Sequence, residues 1–166
     1  MSKNFFVIPS LAICSVFFGS CAQTEVYVEP PASRNLATIE DSFSGKPGGV
    51  KATIFTVDAI DGTRDDKSPF TFVYGGGFAT NVTAGVNRKV TPGEHLVTIG
   101  GRDVHGADGA ALLDFNKNKT VKGDVFLNAK PGRTYIVRGQ MSKSRSSVWL
   151  EDKKTGRIVG RKVVSN

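Results

Sequence analysis

Thr91-Pro92-Gly93-Glu94-His95-Leu96-Val97-Thr98-Ile99-Gly100 and Lys130-Pro131-Gly132-Arg133-Thr134-Tyr135-Ile136-Val137-Arg138-Gly139 share one frame: a Pro-Gly pair, two residues, an apolar-rich run and a closing glycine. Proline presets the backbone for the second position of a turn, and glycine accepts the positive φ that follows. Each unit therefore reads as a turn feeding a strand. Lys46-Pro47-Gly48 repeats the device ahead of Val50. Side chains alternate along a strand, so His95 shares a face with Val97 and Ile99 at the margin of a core.

The same grammar extends in both directions. Short runs rich in Val, Ile, Thr and Phe predict strands at Ala37–Ile39, Val50–Ile60, Phe70–Tyr74, Phe78–Thr83, Arg88–Val90 and Glu94–Ile99. Further runs follow at Ala110–Phe115, Val121–Asn128, Thr134–Gln140, Ser147–Glu151 and Ile158–Val164. Asp61-Gly62 and Thr155-Gly156 supply tight turns between them. No window sustains the three-and-four apolar spacing of a helix. The expectation is an all-β fold: a single two-sheet antiparallel β-sandwich over residues 37–166. A chain of 166 residues has room for one such domain plus an appendage.

The appendage lies at the start. Lys3 precedes an apolar run from Phe5 to Phe18, broken by Pro9, Ser10 and Ser15. Its roughly 14 residues fall short of the about 20 that a membrane-crossing helix needs. A short apolar run behind a basic start and ahead of small residues reads as a secretory signal peptide over residues 1–20. Phe18-Gly19-Ser20-Cys21 resembles the bacterial lipobox. That resemblance implies lipidation of Cys21 by a diacylglycerol thioether, with a further acyl chain on its amine in most Gram-negative species. Two or three chains anchor firmly where one does not. Cys14 then leaves with the signal, no thiol remains for a disulfide, and a domain of this size is stable without one. Ala22, rather than Asp, after the cysteine implies the outer membrane in a Gram-negative host and otherwise the bacterial cell membrane. Residues 21–36, with Pro30-Pro31, read as an extended linker. Val26 and Val28 offer an edge strand as the alternative.

The Pro-Gly-Glu-His strand, the Pro-Gly-Arg-Thr-Tyr strand and the late Asp152-Lys153-Lys154-Thr155-Gly156 hairpin resemble bacterial lipoproteins whose domain is an immunoglobulin-like or transthyretin-like sandwich. The resemblance covers Val50 to Val164 and implies no particular activity.

Catalytic signatures are missing: no nucleophile elbow, no phosphate-cradling loop, no His-Glu-x-x-His helix. Gly75-Gly76-Gly77 lacks the spacing of a dinucleotide loop and reads as a bulge or crossing. His95 reads as a hydrogen-bonded structural histidine. Asp103, His105 and Asp108 lie close in a glycine-rich stretch, but zinc wants three or four convergent ligands. That stretch therefore reads as a solvated loop, with no metal and no cofactor. Asp58, Asp61, Asp65 and Asp66 miss the calcium-loop pattern and read as solvated turn residues.

Charge is unevenly spread. Residues 21–116 hold 8 basic and 12 acidic residues, a balance of −4, whereas residues 117–166 hold 13 and 3, a balance of +10. Lys143, Arg145, Lys153, Lys154, Arg157, Arg161 and Lys162 form a candidate surface for an anionic partner. A tethered exported protein meets anionic lipid, lipopolysaccharide or an acidic protein rather than nucleic acid. The expected function is a non-catalytic structural or binding role in the cell envelope. The alternatives are an assembly or pilot factor of an envelope complex, or a metal-dependent enzyme built on His95 and His105.

Overall fold

From Thr120 to Ala129 the inward residues Val121, Val125, Leu127 and Ala129 are buried while Lys122, Asp124, Phe126 and Asn128 face water. That period of two is what one sheet face against a core and the other against solvent requires. The computed structural model describes residues 25–33, 35–45, 51–67, 71–75, 79–83, 85–105, 120–142 and 144–165. Among them there are strands and no helix. In chain order these are β1 (Ala37–Glu40), β2 (Ser42–Gly45), β3 (Lys51–Ile60), β4 (Thr63–Arg64), β5 (Thr71–Gly75), β6 (Ala79–Thr83), β7 (Asn87–Val90), β8 (Gly93–His105), β9 (Thr120–Ala129), β10 (Thr134–Gln140), β11 (Ser146–Asp152) and β12 (Ile158–Ser165). The expected strand Ala110–Phe115 lies outside the described residues.

Two five-stranded sheets form. One runs β2-β3-β8-β9 with β4 also on β3; the other runs β12-β11-β10-β1-β7; β5 and β6 make a separate ladder. A single core joins the two sheets. Phe55, Val57, Ile60, Val97, Ile99, Val125 and Leu127 from the first meet Ile39, Val90, Tyr135, Val137, Val148 and Leu150 from the second.

Three features depart from the sequence reading. The sandwich is not purely antiparallel, because β1 runs parallel to β10, with Thr38 opposite Thr134 and Glu40 opposite Ile136. Both strands leave from the same end, where the Thr38 amide donates to the Arg133 carbonyl, so they must run the same way. The chain then changes sheet at Asp41: β1 belongs to one sheet, and β2 pairs with β3 in the other. Finally, β8 does not stop at Ile99 but continues through Gly100-Gly101 to His105. Gly101 lies opposite Phe55 in register, and a Cβ there would sit 3.0 Å from the Phe55 ring. Gly139 on β10 approaches the same ring from the other sheet. The glycines give up strand propensity to make room for one aromatic side chain between the sheets.

The registers put four tight connections at one end of the sandwich. Asp61-Gly62 joins β3 to β4, Thr91-Pro92 leads into β8, Lys130–Arg133 joins β9 to β10, and Lys153–Arg157 joins β11 to β12. Asp61 and Gly62 both have positive φ (52° and 79°), the geometry of a two-residue hairpin turn.

The two open sides are closed differently. Where β12 passes β9, a Cβ on Gly123 would lie 2.7 Å from Val163, and one on Gly160 (φ 73°) 2.6 Å from Val125. Only glycines allow that approach. On the other side an arm covers the gap between β4 and β7. Val26 makes a parallel bridge to Arg64, and the Tyr27 amide donates to the Arg64 carbonyl at 2.7 Å. The Tyr27 hydroxyl donates to the Lys89 carbonyl at 2.6 Å. Glu29 accepts the Lys89 amide and pairs with Lys67 at 2.8 Å. Residues 25–29 thus dock through one isolated bridge at Val26 and the side-chain contacts of Tyr27 and Glu29, while Val28 stays exposed.

Two outcomes are expected. Gly139→Ala forces the Phe55 ring out of its slot and should cost about 1–3 kcal/mol, read as a lowered denaturation midpoint with the strand-type spectrum retained. Burial, and then the charges of Glu29, Asp61 and Asp65, push the Tyr27 phenol up to about 12 from its ordinary 10. A released arm regains the ordinary value, so the share of docking that Tyr27 contributes is whole below pH 10, weakens between 10 and 12, and is gone above. A tyrosinate absorption titration should show a late step that disappears in Tyr27→Phe.

Candidate functional site

His95 stands at the turn end of β8. Its Nδ1 lies 2.7 Å from a carboxylate oxygen of Asp61 and its Nε2 lies 2.8 Å from the Thr91 carbonyl. The other Asp61 oxygen accepts the Leu96 amide at 2.8 Å. The imidazole therefore ties the β3–β4 turn to the start of β8, with both nitrogens engaged. Asp103 lies eight residues further along the same strand, about 26 Å away at the rise of an extended chain, and there accepts the Thr53 hydroxyl at 2.7 Å. His105 ends β8 opposite Lys51, while Asp108 lies outside the described residues. His95 thus cannot share a ligand sphere with Asp103. Among the described residues no group of three His, Cys, Asp or Glu side chains converges.

A different polar cluster is deeply buried. Arg88 on β7 has no exposed side-chain surface. Its NH1 pairs with Asp41 at 2.6 Å and donates to the Val86 carbonyl at 3.3 Å, and its Nε pairs with Asp65. Asp41 also accepts the amides of Val57 at 2.9 Å and Val86 at 3.3 Å. Burial pushes the Asp41 carboxyl upward, against the pull of Arg88 and those two amides. Arg88 NH2 has no hydrogen-bond partner among the described residues. The cluster was not legible as such: Arg88 looked like the start of a short strand and Asp65 like a solvated turn residue. Asp65 is not a solvated turn residue: its side chain is 1% exposed, because β4 folds it back toward Arg88. Asp58 instead pairs with Lys122 at 2.9 Å, and Asp66 with Arg64 at 3.1 Å.

The structure divides the basic C-terminal residues. Lys153, Lys154 and Arg157 share the β11–β12 turn, where Lys153 pairs with Glu40 at 2.7 Å. The β9–β10 turn lies alongside: the Lys153 amide donates to the Thr134 carbonyl, and Arg133 faces Asp152 at 3.7 Å. These two turns, residues 130–133 and 152–157, hold Lys130, Arg133, Lys153, Lys154 and Arg157 against one carboxylate, Asp152. Arg145 sits beyond the opposite end of β11, where its amide and carbonyl bond the Ser142 hydroxyl. Arg161 points to the β9 seam and donates to the Asp124 carbonyl at 3.3 Å. Lys162 lies 4.3 Å above the Trp149 ring, a cation–π contact, and Arg138 pairs with Trp149 across the strands. Lys143 and Cys21 lie outside the described residues. The seven do not share one face, but three of them join Lys130 and Arg133 at the turn end.

Beside the sheet crossing runs an open groove of about 420 Å³, with Phe43, Ile136, Arg138 and the Glu40–Lys153 pair on its walls. Its cations and carboxylates are mixed, and it is wide open to solvent.

Comparison of the chain with models of protein families, with curated proteins and with solved structures finds no match.

Removing Arg88 leaves two carboxylates in the interior without their cation. Arg88→Met should cost about 3–5 kcal/mol, measured by chemical denaturation. The triple variant Arg88→Met, Asp41→Asn, Asp65→Asn should recover part of that loss, since no buried charge is then left unpaired.

Proposed function

We propose that this chain is a lipid-tethered protein of the bacterial cell envelope whose domain, a sandwich of the immunoglobulin-like or transthyretin-like kind, works by binding or structural support rather than by chemistry. The tether rests on Phe18-Gly19-Ser20-Cys21, the lipobox-like end of a short apolar signal. The observation that carries the non-catalytic reading is the state of His95. Both nitrogens of its imidazole are engaged between Asp61 and the Thr91 carbonyl, with the side chain 10% exposed. A general base needs a free nitrogen within reach of a substrate proton. Arg88, Asp41 and Asp65 are likewise closed on one another in the interior. What the domain offers to solvent is cationic turns and an aromatic-cationic patch at Trp149 and Lys162. The partner class that suits them is anionic: lipid headgroups, lipopolysaccharide phosphates or an acidic protein.

The tether is tested at its cysteine. Cys21→Ser should abolish incorporation of labelled fatty acid and move the protein from the membrane fraction to the soluble one. Membrane association that survives the substitution would overturn the reading.

A further inference from the structure

We infer that the turn end of the sandwich is the face that lies against the bilayer, and that its basic turns dock on anionic lipid headgroups. The inference rests on the tether reading at Cys21 and adds an orientation to it.

Two independent observations converge on this end. The first is the direction in which the chain enters the domain. The bridge between Val26 and Arg64 is parallel, and β4 runs away from the Asp61-Gly62 turn. The arm therefore runs away from the turn end as well, and Glu25 is its residue nearest that end, with its carbonyl accepting the Arg64 amide at 3.2 Å. The described arm therefore begins at its turn-side end. Four peptide units separate Glu25 from Cys21, and they reach about 14 Å at most. Without docking, the leash would run to Ala37, sixteen units and up to about 55 Å, and would impose no orientation. The docked arm shortens it to a length at which the lipid holds one end of the domain at the membrane surface. The contacts that fix the arm are specific ones: Tyr27 to Lys89, and Glu29 to both Lys67 and the Lys89 amide.

The second observation is the charge carried by two of the four turns at that end. Lys130, Arg133, Lys153, Lys154 and Arg157 occupy two adjacent turns, and of these Lys130, Lys154 and Arg157 are exposed and pair with no carboxylate among the described residues. Near a surface bearing anionic lipid, each such cation contributes about 1 kcal/mol, roughly a fivefold gain in partitioning. An acyl anchor beside a basic patch is a two-signal membrane attachment. Arg145, at the far end, and Arg161, on the seam, take no part.

The test uses the full-length, lipidated protein reconstituted in phosphatidylcholine vesicles with and without phosphatidylglycerol. With Cys21 acylated and Cys14 removed with the signal, a single added thiol can carry a fluorophore, at Thr91→Cys on the turn end or at Ser144→Cys on the opposite end. Quenching by bromine-labelled lipid reports proximity, and mass spectrometry of the N-terminal peptide reports the lipid. The Thr91 probe should be strongly quenched and the Ser144 probe little affected. Phosphatidylglycerol should deepen the Thr91 signal. Lys153→Gln, Lys154→Gln and Arg157→Gln together, or high salt, should return it to the level in phosphatidylcholine alone. Tyr27→Ala with Glu29→Ala should free the domain and remove the difference between the two positions. Equal quenching at both probes of the undisturbed arm, or stronger quenching at Ser144, with the lipid mass present, overturns the orientation. A Thr91 signal indifferent to phosphatidylglycerol overturns the headgroup docking. Absence of the lipid mass instead overturns the tether itself.

Discussion

The guanidinium of Arg88 is held between two carboxylates that the sequence sets far apart, Asp41 and Asp65, and much of the architecture is organised around that contact. Asp41 is the one residue between β1, in one sheet, and β2, in the other. Its oxygens also take the amides of Val57 and Val86, so one side chain ties the crossing to β3, to β7 and to the residue before β7. Asp65 brings in the segment after β4, the strand on which the N-terminal arm is laid. An ion group this deep is costly to desolvate, and its net contribution to stability is small against an apolar replacement. What it does supply is directionality. Apolar packing would tolerate a slipped crossing strand, whereas Arg88 has its acceptors in only one arrangement. That fixes which edge is left for the arm to cover.

The opposite side of the sandwich solves the same problem without charge. Sheets of five strands leave edges that must be covered or paired. Between β9 and β12 the cover is contact close enough to exclude Cβ atoms at Gly123 and Gly160. Lengthening β12 at that point compensates for the approach: Val148 and Leu150 on β11 are two residues apart, but their partners Val163 and Val159 are four apart. The extra residues bulge, turning Arg161 to the β9 carbonyls and Lys162 onto Trp149, while Val159 and Val163 still reach the core. One side is thus closed by polar specificity and the other by small residues, with Phe55 filling the space between.

Strand positions could be read from the sequence because they depend on local information. Pro-Gly pairs and alternating apolar residues mark Thr134–Gln140 and Ser146–Asp152 to within a residue, as they do the start of β8. Where β8 ends could not be read. Gly100-Gly101 looks like a stop, and only the position of Phe55 on another strand explains why it is not one. The parallel β1–β10 pair was hidden for a similar reason: nearly a hundred residues separate its partners, and periodicity carries no information about which strands become neighbours. Of the site residues, His95 was legible as a hydrogen-bonded side chain at the margin of the core, because its face is shared with Val97 and Ile99. Arg88 and Asp65 were not, since nothing in Asn87-Arg88-Lys89 or Arg64-Asp65-Asp66 distinguishes the charged residue that turns inward from those that stay in water.

Chain topology also explains what becomes of the charge bias. A surplus of cations confined to the last third of a sequence would be strung along one element if that third were a single helix. Here the last third is a succession of hairpins from β9 to β12, and in such a succession alternate turns fall at the same end. The β9–β10 and β11–β12 turns therefore come together, bringing Lys130 and Arg133 beside Lys153, Lys154 and Arg157. The β10–β11 connection carries Arg145 to the other end, about 26 Å away along β11. Residues inside β12 are sorted by the bulge rather than by the turns. Among the described residues, part of the linear surplus of cations thus gathers on two turns at one end of the sandwich rather than over one of its sheets. The basic end is also the one from which the arm enters, because the arm lies parallel to β4 and β4 begins at a turn of that same end.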